Sequence, residues 1–512
     1  MAGADSGYSG IMGHMTKKHS YVTTAIPYVN GEPHIGHALD YLIADVWARY
    51  QRQLGKVVRF QTGVDEHGNK IAAKAAEQGI APQAYVDSMY GNFQQLIQTL
   101  NVDTTDFIRT SDIKHKAAVQ YIWQQLEKAG LFYKGTYEGW YCMGCESFIT
   151  DKEAAENNGI CPDHNTPYQR LSEENYYFKA SAFTAQITQA IESGKVRIEP
   201  DFRKREFLEL IKDGLADVSV SRPAKSLSWG IPVPGDPGQV MYVWLDALSN
   251  YLTVLGYPND TTWQDFWPAD ISVVGKDILR FHAGIWPAIL LGLGLPLPKV
   301  LLVHGHITSG GAKMAKSLGN GVSPFDVIDK YGVEAFRYYF LRYVPTLDDG
   351  DFTWERFEAA YNGELGNDLG NLVQRVAAMI SRYQAGVIDE PPASKHDMGP
   401  YRNAMETYEF NRALDEVWVI VRALNQYIDR VKPWEVAKKR DTDVEAAAHL
   451  AEILSHSSGT LLQIADLLVP FLPTTARAIH STFASGVVPD DIQPLFPKVH
   501  IYTPDPRAQK AS

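Results

Sequence analysis

Residues 21–47 read YVTTAIPYVNGEPHIGHALDYLIADVW, and their order decides the fold. Tyr21-Val22-Thr23-Thr24-Ala25-Ile26 carries the alternating, β-branched pattern of a strand. Pro27, Asn30, Gly31 and Pro33 mark a turn. Ile35, Leu39, Leu42, Ile43, Val46 and Trp47 then recur at helical spacing, and Pro33 suits a helix start. The spacing predicts a helix running to about Leu54. His34 and His37 therefore stand in the first turn of a helix that leaves the carboxyl end of a strand. Open α/β sheets bind ligands at that place, and a helix N-terminus attracts phosphate. Two histidines there, taken alone, read equally well as caps or surface residues.

A distant stretch gives them a partner. Lys313-Met314-Ala315-Lys316-Ser317 follows the apolar strand Val300-Leu301-Leu302-Val303 and puts two ammonium groups on one loop. Such a loop can neutralise a polyphosphate, although a lysine-rich turn by itself is commonly solvated surface. Other sheet segments are predicted at Val57–Gln61, Tyr242–Leu245 and Ile271–Val274. The first leads to Gly63-Val64-Asp65-Glu66-His67-Gly68 and the last to Gly275-Lys276-Asp277, polar groups at strand ends facing one crevice. Beyond about Ser323 the pattern turns helical. From about 355 onward, long amphipathic segments predict a helix bundle, interrupted at Pro391 and Pro392. No internal repeat is present.

At 512 residues the chain is long enough for two or more domains. Hydrophobic content of 45% and charged content of 21% are those of a globular protein. A net charge of −12 excludes a generally cationic nucleic-acid coat, while leaving room for a local basic face. The longest apolar run, 283–303, is broken by Pro287, Pro296, Pro298 and Lys299 and does not read as a membrane span. Residues 1–14 are small and polar, precede a second methionine, Met15, and are read as a leader outside the fold; the tail from about Pro504 reads as frayed. With no export signal visible, a cytoplasmic location is expected.

The three cysteines fall in one short stretch, and their odd number argues against a disulfide framework. Cys142, Cys145, Cys161 and His164 form the pattern C-x2-C-x15-C-x2-H. Two tight turns, each presenting two soft ligands, meet the need of a closed tetrahedral zinc site, structural rather than catalytic because no coordination position stays open. The plain alternative is unligated thiols with a surface histidine.

Together, the strand–HIGH–helix unit and the KMAKS loop resemble the paired signatures of class I aminoacyl-tRNA synthetases. The family's second signature is KMSKS, so Ala315 departs from it, losing a hydroxyl but keeping both lysines. From about Lys18 to about Thr503 the chain resembles the methionyl-tRNA synthetases in the order and spacing of several segments. They are Ala25–Tyr28, Thr62–Gly68, the cysteine knuckle, Tyr242–Ala247, Gly275–Ile278, Phe281-His282, Trp286-Pro287 and Lys432-Pro433-Trp434. The interval between HIGH and KMAKS is too short for the editing insertion of the isoleucyl, leucyl and valyl relatives. The single knuckle and the lack of a long C-terminal extension resemble a short bacterial or organellar form, for which a monomer is expected.

The resemblance implies an α/β, Rossmann-like parallel-sheet catalytic domain with a zinc-knuckle insertion, followed by an all-α anticodon-binding helix bundle. Its halves would be 15–130 and 226–322, with the insertion at 131–225, a stem-contact region at 323–365 and the anticodon domain at 366–512. It implies ATP-dependent ligation of L-methionine to tRNA(Met) through methionyl-adenylate, with Mg²⁺ accompanying ATP. His34, His37, Lys313 and Lys316 would be catalytic, and Gly36, Gly275, Lys276, Asp277 and His304 would add ATP contacts. Tyr28, Trp244, Tyr251, Phe281 and Trp286 would wall the methionine pocket, with Ile26, Ala247, Leu248 and Ile278 filling its sides, His282 near the thioether and Asp65 on the ammonium. Leu248 stands where some relatives carry proline. Asn371, Arg375, Pro433 and Trp434, the last within a basic cluster with Arg430 and Lys432, would read the anticodon. Two rivals remain at this stage: a cysteinyl synthetase, whose zinc would need an open position, and a tRNA-binding scaffold without activity.

Protein purified without added zinc should retain about one zinc per chain and lose folded structure in chelator. Metal analysis finding none, with folding unchanged in chelator, would remove the knuckle.

Overall fold

The computed structural model describes residues 19–142, 147–162, 165–313, 322–388, 396–489 and 491–499. The leader, Met15, Cys145, His164, residues 314–317 (Ala315 and Lys316 among them), Pro391, Pro392 and the tail from Pro504 lie outside them.

The opening stretch forms the third strand of a six-stranded sheet. In order across the sheet the strands are Asp106–Arg109, Val57–Val64, His19–Thr24, Ile271–Gly275, Val300–His304 and Arg197–Glu199. His19–Thr24 pairs in parallel on both sides, Tyr21 opposite Arg59 and Val22 opposite Ile271. Every residue of this strand after His19 is buried, as expected of a parallel strand covered on both faces. The alternation read from sequence is therefore not an exposed face. Thr23 donates to the Ser272 hydroxyl at 2.9 Å and Thr24 to the Thr62 hydroxyl at 2.8 Å, so buried hydroxyls satisfy one another across strands.

Four expectations need correction. The strand at Val57 continues through Val64, because it also pairs with Asp106–Arg109, Gly63 opposite Ile108. Tyr242–Leu245 is not a strand: Tyr242 is the extended N-cap of the helix Val243–Thr253. Its apolar residues continue at Leu248, Tyr251 and Leu252, so the helical period outweighs the short apolar run. Arg197–Glu199, inside the stretch read as insertion, is the edge strand of the main sheet, paired in parallel with Val300–Leu302. The region after Ser323 is not purely helical, since Gly350–Phe352 pairs with Ile307–Ser309. Elsewhere in the stretch read as an insertion, Ser147–Ile149, Phe132–Cys142, Gln169–Phe178 and Val218–Ser219 form a four-stranded antiparallel sheet. No helix among the described residues is long and apolar enough to cross a membrane.

Contacts divide the chain into two compact units. One comprises Met1–Pro33, Lys56–Gln95 and Thr104–Val303 and holds the sheet. The other comprises His34–Gly55, Leu96–Asp103 and His304–Ser512. It contains the HIGH helix, Ile35–Gln53, and the C-terminal helices, among them Asn371–Gln384, Phe410–Val431, Val444–Leu468 and Pro473–Phe483. The HIGH helix is tied into this second unit by a buried charge. Arg337, on the helix Val333–Arg342, is fully buried. Its guanidinium donates to Asp45 at 2.7 Å and to the carbonyls of Phe471 (2.7 Å), Leu100 (3.1 Å) and Pro470 (3.1 Å). Asp45 also accepts from Arg49 at 2.8 Å and from the Asp103 amide at 2.9 Å.

A buried charge is tolerated only when paired and hydrogen-bonded on every side. Arg337→Ala should therefore lower stability by about 3–5 kcal/mol, because Asp45 and three carbonyls lose their partner. Denaturant unfolding showing a loss below about 1 kcal/mol would contradict this role.

Candidate active site

In the second unit, His34 is the N-cap of the HIGH helix. Its Nδ1 accepts from the Gly36 amide at 3.1 Å, and the His34 amide donates to Nδ1 of His37 at 3.2 Å. The two rings stack with centroids 3.7 Å apart. This reciprocal cap fixes both tautomers: each Nδ1 is an acceptor, so each proton sits on Nε2. Burial, with His34 adding to it, holds His37 well below the usual imidazole range. The pair thus orients its two Nε2–H groups at a helix N-terminus. A Cβ at Gly36 would stand 2.9 Å from Cε1 of His34, so a larger residue there would push the capping ring out of place.

His304 ends its strand buried in the same unit, with Nε2 against the Asp40 carboxylate of the HIGH helix and Nδ1 donating to the Gly305 carbonyl at 2.8 Å. Gly305 permits the chain to pass Asp348, whose carbonyl carbon would lie 2.3 Å from a Cβ. The backbone of Lys313 pairs with Thr308. Lys316 lies outside the described residues.

The residues expected to line a methionine pocket fall in the first unit. Pairing persists beyond the ends of the strands: Asp65 donates its amide to the Pro27 carbonyl at 2.8 Å and accepts from the Val29 amide at 3.1 Å. Tyr28 and Asp65 are thereby bridged side by side. Trp244, in the first turn of its helix, stacks on Phe281 with centroids 3.5 Å apart and planes 13° apart. Both are half-buried, as are Ile26, Tyr28 and Ile278. Tyr251, His282 and Trp286 are buried, the ring of Tyr251 meeting those of the other two, and Ala247 and Leu248 are buried on the helix of Trp244.

His282 lies on a π-helical turn, Phe281–Ile285, an irregularity common at functional sites. Its Nδ1 donates to the Ile278 carbonyl at 3.0 Å and its Nε2 accepts from the Tyr251 hydroxyl at 2.7 Å. Burial pulls it down to about 4, against the opposing pull of the Ile278 carbonyl and Asp277. His282 is neutral at pH 7, both nitrogens occupied. Gly275, Lys276 and Asp277 follow Ile271–Gly275 in the same unit, Lys276 half-buried and Asp277 exposed.

Several polar groups in the quoted segments turn out to be buried and paired, which their sequence did not indicate. Glu66 is fully buried, accepting from Arg109 at 2.8 Å and from the Ser111 hydroxyl and amide. Burial raises its carboxyl, with Ser111 and Arg109 opposing. Asp246 lies between His67 and His115. The available signal was a lone carboxylate inside the apolar run Val243–Leu252, where only a buried partner makes a charge tolerable.

In the insertion, Cys142 ends a strand opposite Ser147, at the base of a hairpin. Cys161 begins a turn closed by the Ile160–Pro167 bridge, with its amide donating to the Thr166 carbonyl at 2.9 Å. Both thiols are buried in one small cluster with Ala154 and Tyr168. Two hairpin bases delivering thiols to one cluster fit a closed thiolate site. Cys145 and His164 lie outside the described residues, among which no group of three or more potential ligands gathers.

In the C-terminal helices, Asn371 and Arg375 share a face of Asn371–Gln384, and Arg375 pairs with Asp429 at 2.8 Å. Lys432 adopts a left-handed conformation and turns the chain into the short helix Pro433–Val436. Pro433 is buried and Trp434 is 37% exposed.

The family described as "tRNA synthetases class I (M)" matches residues 20–171 and 163–377. The chain is 42% identical over 474 residues to the methionine–tRNA ligase of Caldanaerobacter subterraneus subsp. tengcongensis, covering 90% of this chain and 73% of that one. It is 42% identical over 486 residues to the enzyme of Listeria innocua, covering 90% and 72%. Among solved structures it matches Mycobacterium tuberculosis methionyl-tRNA synthetase in complex with methionyl-adenylate, with a TM-score of 0.87, 33% identity, and coverage of 94% of this chain and 100% of that one. The free form of that protein matches at a TM-score of 0.82 and 30% identity, covering 96% and 100%. With a family match that spans most of its catalytic stretch and relatives of this identity, the chain belongs to the class I methionyl-tRNA synthetases.

Proposed function

We propose that the Trp244–Phe281 set with Tyr28 and Asp65 holds L-methionine, and that the HIGH histidines and the KMAKS lysines act on ATP. The chain joins L-methionine to tRNA(Met) at the expense of ATP, through methionyl-adenylate, releasing pyrophosphate and then AMP. The observation that carries the assignment of residues is the chemistry of the aromatic set. An accessible aromatic pair, backed by a histidine that is neutral and fully engaged, offers a thioether an apolar, polarisable surface. Sulfur–ring contacts contribute about 0.3–1.5 kcal/mol each. A charged imidazole would instead have demanded water or a counter-ion. Asp65, held beside Tyr28, accepts the substrate ammonium in a charge-assisted bond.

The methionine carboxylate attacks the α-phosphorus and pyrophosphate leaves. No protein nucleophile takes part; positioning and charge stabilisation lower the barrier. His34 and His37 donate from Nε2 to phosphate oxygens, their rings pre-set by the reciprocal cap so that no reorganisation is needed at the transition state. Lys313 and Lys316 neutralise charge on the departing pyrophosphate. Mg²⁺ enters with ATP as part of the substrate and screens the same charge. Gly275, Lys276 and Asp277, together with His304, contact the nucleotide. In the second step a terminal adenosine hydroxyl of the tRNA attacks the acyl-adenylate.

Cys142, Cys145, Cys161 and His164 would hold one zinc ion, which would supply structural cross-linking of the knuckle and no chemistry to the reaction. Residues 366–512 read the anticodon, Trp434 stacking on a base and Asn371 and Arg375 offering polar contacts. The exposure of Trp434 supports stacking over bundle packing. A cytoplasmic location follows from supplying translation.

His37→Ala and Lys316→Ala should each slow adenylate formation at least about a hundredfold, roughly 2.7 kcal/mol. Near-normal ATP–pyrophosphate exchange in either variant would overturn its role. Trp434→Ala should impair tRNA charging and spare that exchange, whereas equal loss of both would make Trp434 a packing residue.

A further inference from the structure

Asp246, His67 and His115 are buried in the first unit, with exposures of 0%, 2% and 2%. They come from three elements: the helix Val243–Thr253, the segment just after Val57–Val64, and the helix Ile113–Lys128. One carboxylate serves both rings. Oδ2 of Asp246 lies 2.6 Å from Nδ1 of His67, and Oδ1 lies 2.8 Å from Nε2 of His115. An ionised carboxylate only accepts, so the rings carry their protons on those nitrogens. Burial raises the Asp246 carboxyl, but His67 and His115 outweigh it and bring it down to about 2. The other nitrogen of His115 meets the Thr253 hydroxyl at 2.7 Å, at the far end of Asp246's own helix. The ring of His67 lies edge-on to Trp229, whose indole donates to the Glu66 carbonyl at 2.6 Å.

The placement of the cluster is informative. Asp246 sits two residues after Trp244, and His67 two residues after Asp65. Tyr28 packs with Val64 and Trp229, in a cluster separate from the one that contains Trp244 and Phe281. The Asp246–His67 bond therefore joins the segment that carries the ammonium acceptor to the helix turn that carries the aromatic wall. A second bond, from Gln61 to Asn250 at 2.6 Å, ties the same strand to the same helix one turn later.

We propose that Asp246, clamped between His67 and His115, is a positioning residue that fixes Trp244 relative to Asp65 and thereby sets methionine affinity. The proposal rests on the methionine pocket being at Trp244 and Asp65. None of the three residues needs to touch substrate. Their bonds hold two contacting groups to within the few tenths of an ångström that a binding site requires. A wall that shifts weakens binding of substrate and transition state alike, which raises KM and leaves kcat in place.

The test is methionine-dependent ATP–pyrophosphate exchange by the full chain. In Asp246→Asn an amide N–H faces one of the ring N–H groups and breaks that bond. The KM for methionine should rise about tenfold or more, with kcat and the KM for ATP changing less than about threefold. His115→Leu should do the same. His115→Gln, whose amide N–H stands near the position of Nε2–H, should restore KM to within about threefold of the parent. Should Asp246→Asn not fold, the Gln and Leu variants at 115 decide the matter, with thermal melting confirming that both are folded. A methionine KM unmoved in the folded variants, a Gln variant no better than Leu, or kcat falling in step with both KM values would overturn the proposal. Asp65→Asn and Trp244→Ala separate the two levels. If both leave the methionine KM unchanged, the pocket assignment itself falls. If they raise it and the 246 and 115 variants do not, only the positioning role falls.

Discussion

Parallel pairing that outlasts its strands fixes the backbone on which the proposed substrate site depends. His19–Thr24 and Val57–Val64 end as regular strands, yet the bonds from Asp65 to Pro27 and from Val29 to Asp65 pair the two chains again just beyond, shifted by one residue from the register of the strands. Loops that leave a sheet normally lose such support, and their side chains spread over many conformations. Here the backbone of Tyr28 and Asp65 is as determined as that of a strand. An aromatic ring and a carboxylate are delivered together at the carboxyl edge of the sheet, where a parallel fold binds its ligand.

Buried charge does the remaining alignment within each unit. Glu66 ties the segment after Val57–Val64 to Arg109 and Ser111, and Asp246 ties it through His67 to the helix of Trp244. In the second unit, Arg337 binds the HIGH helix through Asp45 and reaches the carbonyls of Pro470 and Phe471, which precede the final helix, Pro473–Phe483. Apolar packing is non-directional and tolerates sliding. An ion held on every side by hydrogen bonds does not slide, because any displacement exposes an unpaired charge to a dry interior. The polar clusters adjoin segments that carry proposed contact residues. Directional bonds there convert a packed core into a shaped one.

Much of this was legible in the sequence, and the failures have physical causes. The strand, turn and helix of residues 21–47 were readable because period, breakers and helix start agree there. The strand at Tyr242 failed because four apolar residues fit either period, and the deciding positions, Leu248 to Leu252, lie further on. Arg197–Glu199 escaped notice because three residues of mixed polarity at a sheet edge carry almost no pattern. The aromatic and histidine residues of the candidate site could be named in advance. Their division into an accessible pair and a buried backing could not, since it depends on which helix face meets the sheet. Asp246 was invisible as a member of a cluster, because its partners lie 131 and 179 residues away in the chain.

The acyl group that this chain activates is methionyl. ATP–pyrophosphate exchange measured with each of the twenty protein amino acids tests it directly. Methionine should support exchange strongly, and cysteine, leucine and isoleucine only weakly, because none of them combines a flexible apolar chain with a sulfur placed to meet the Trp244–Phe281 pair. Exchange driven best by another amino acid, or by none while tRNA binding is retained, would contradict it.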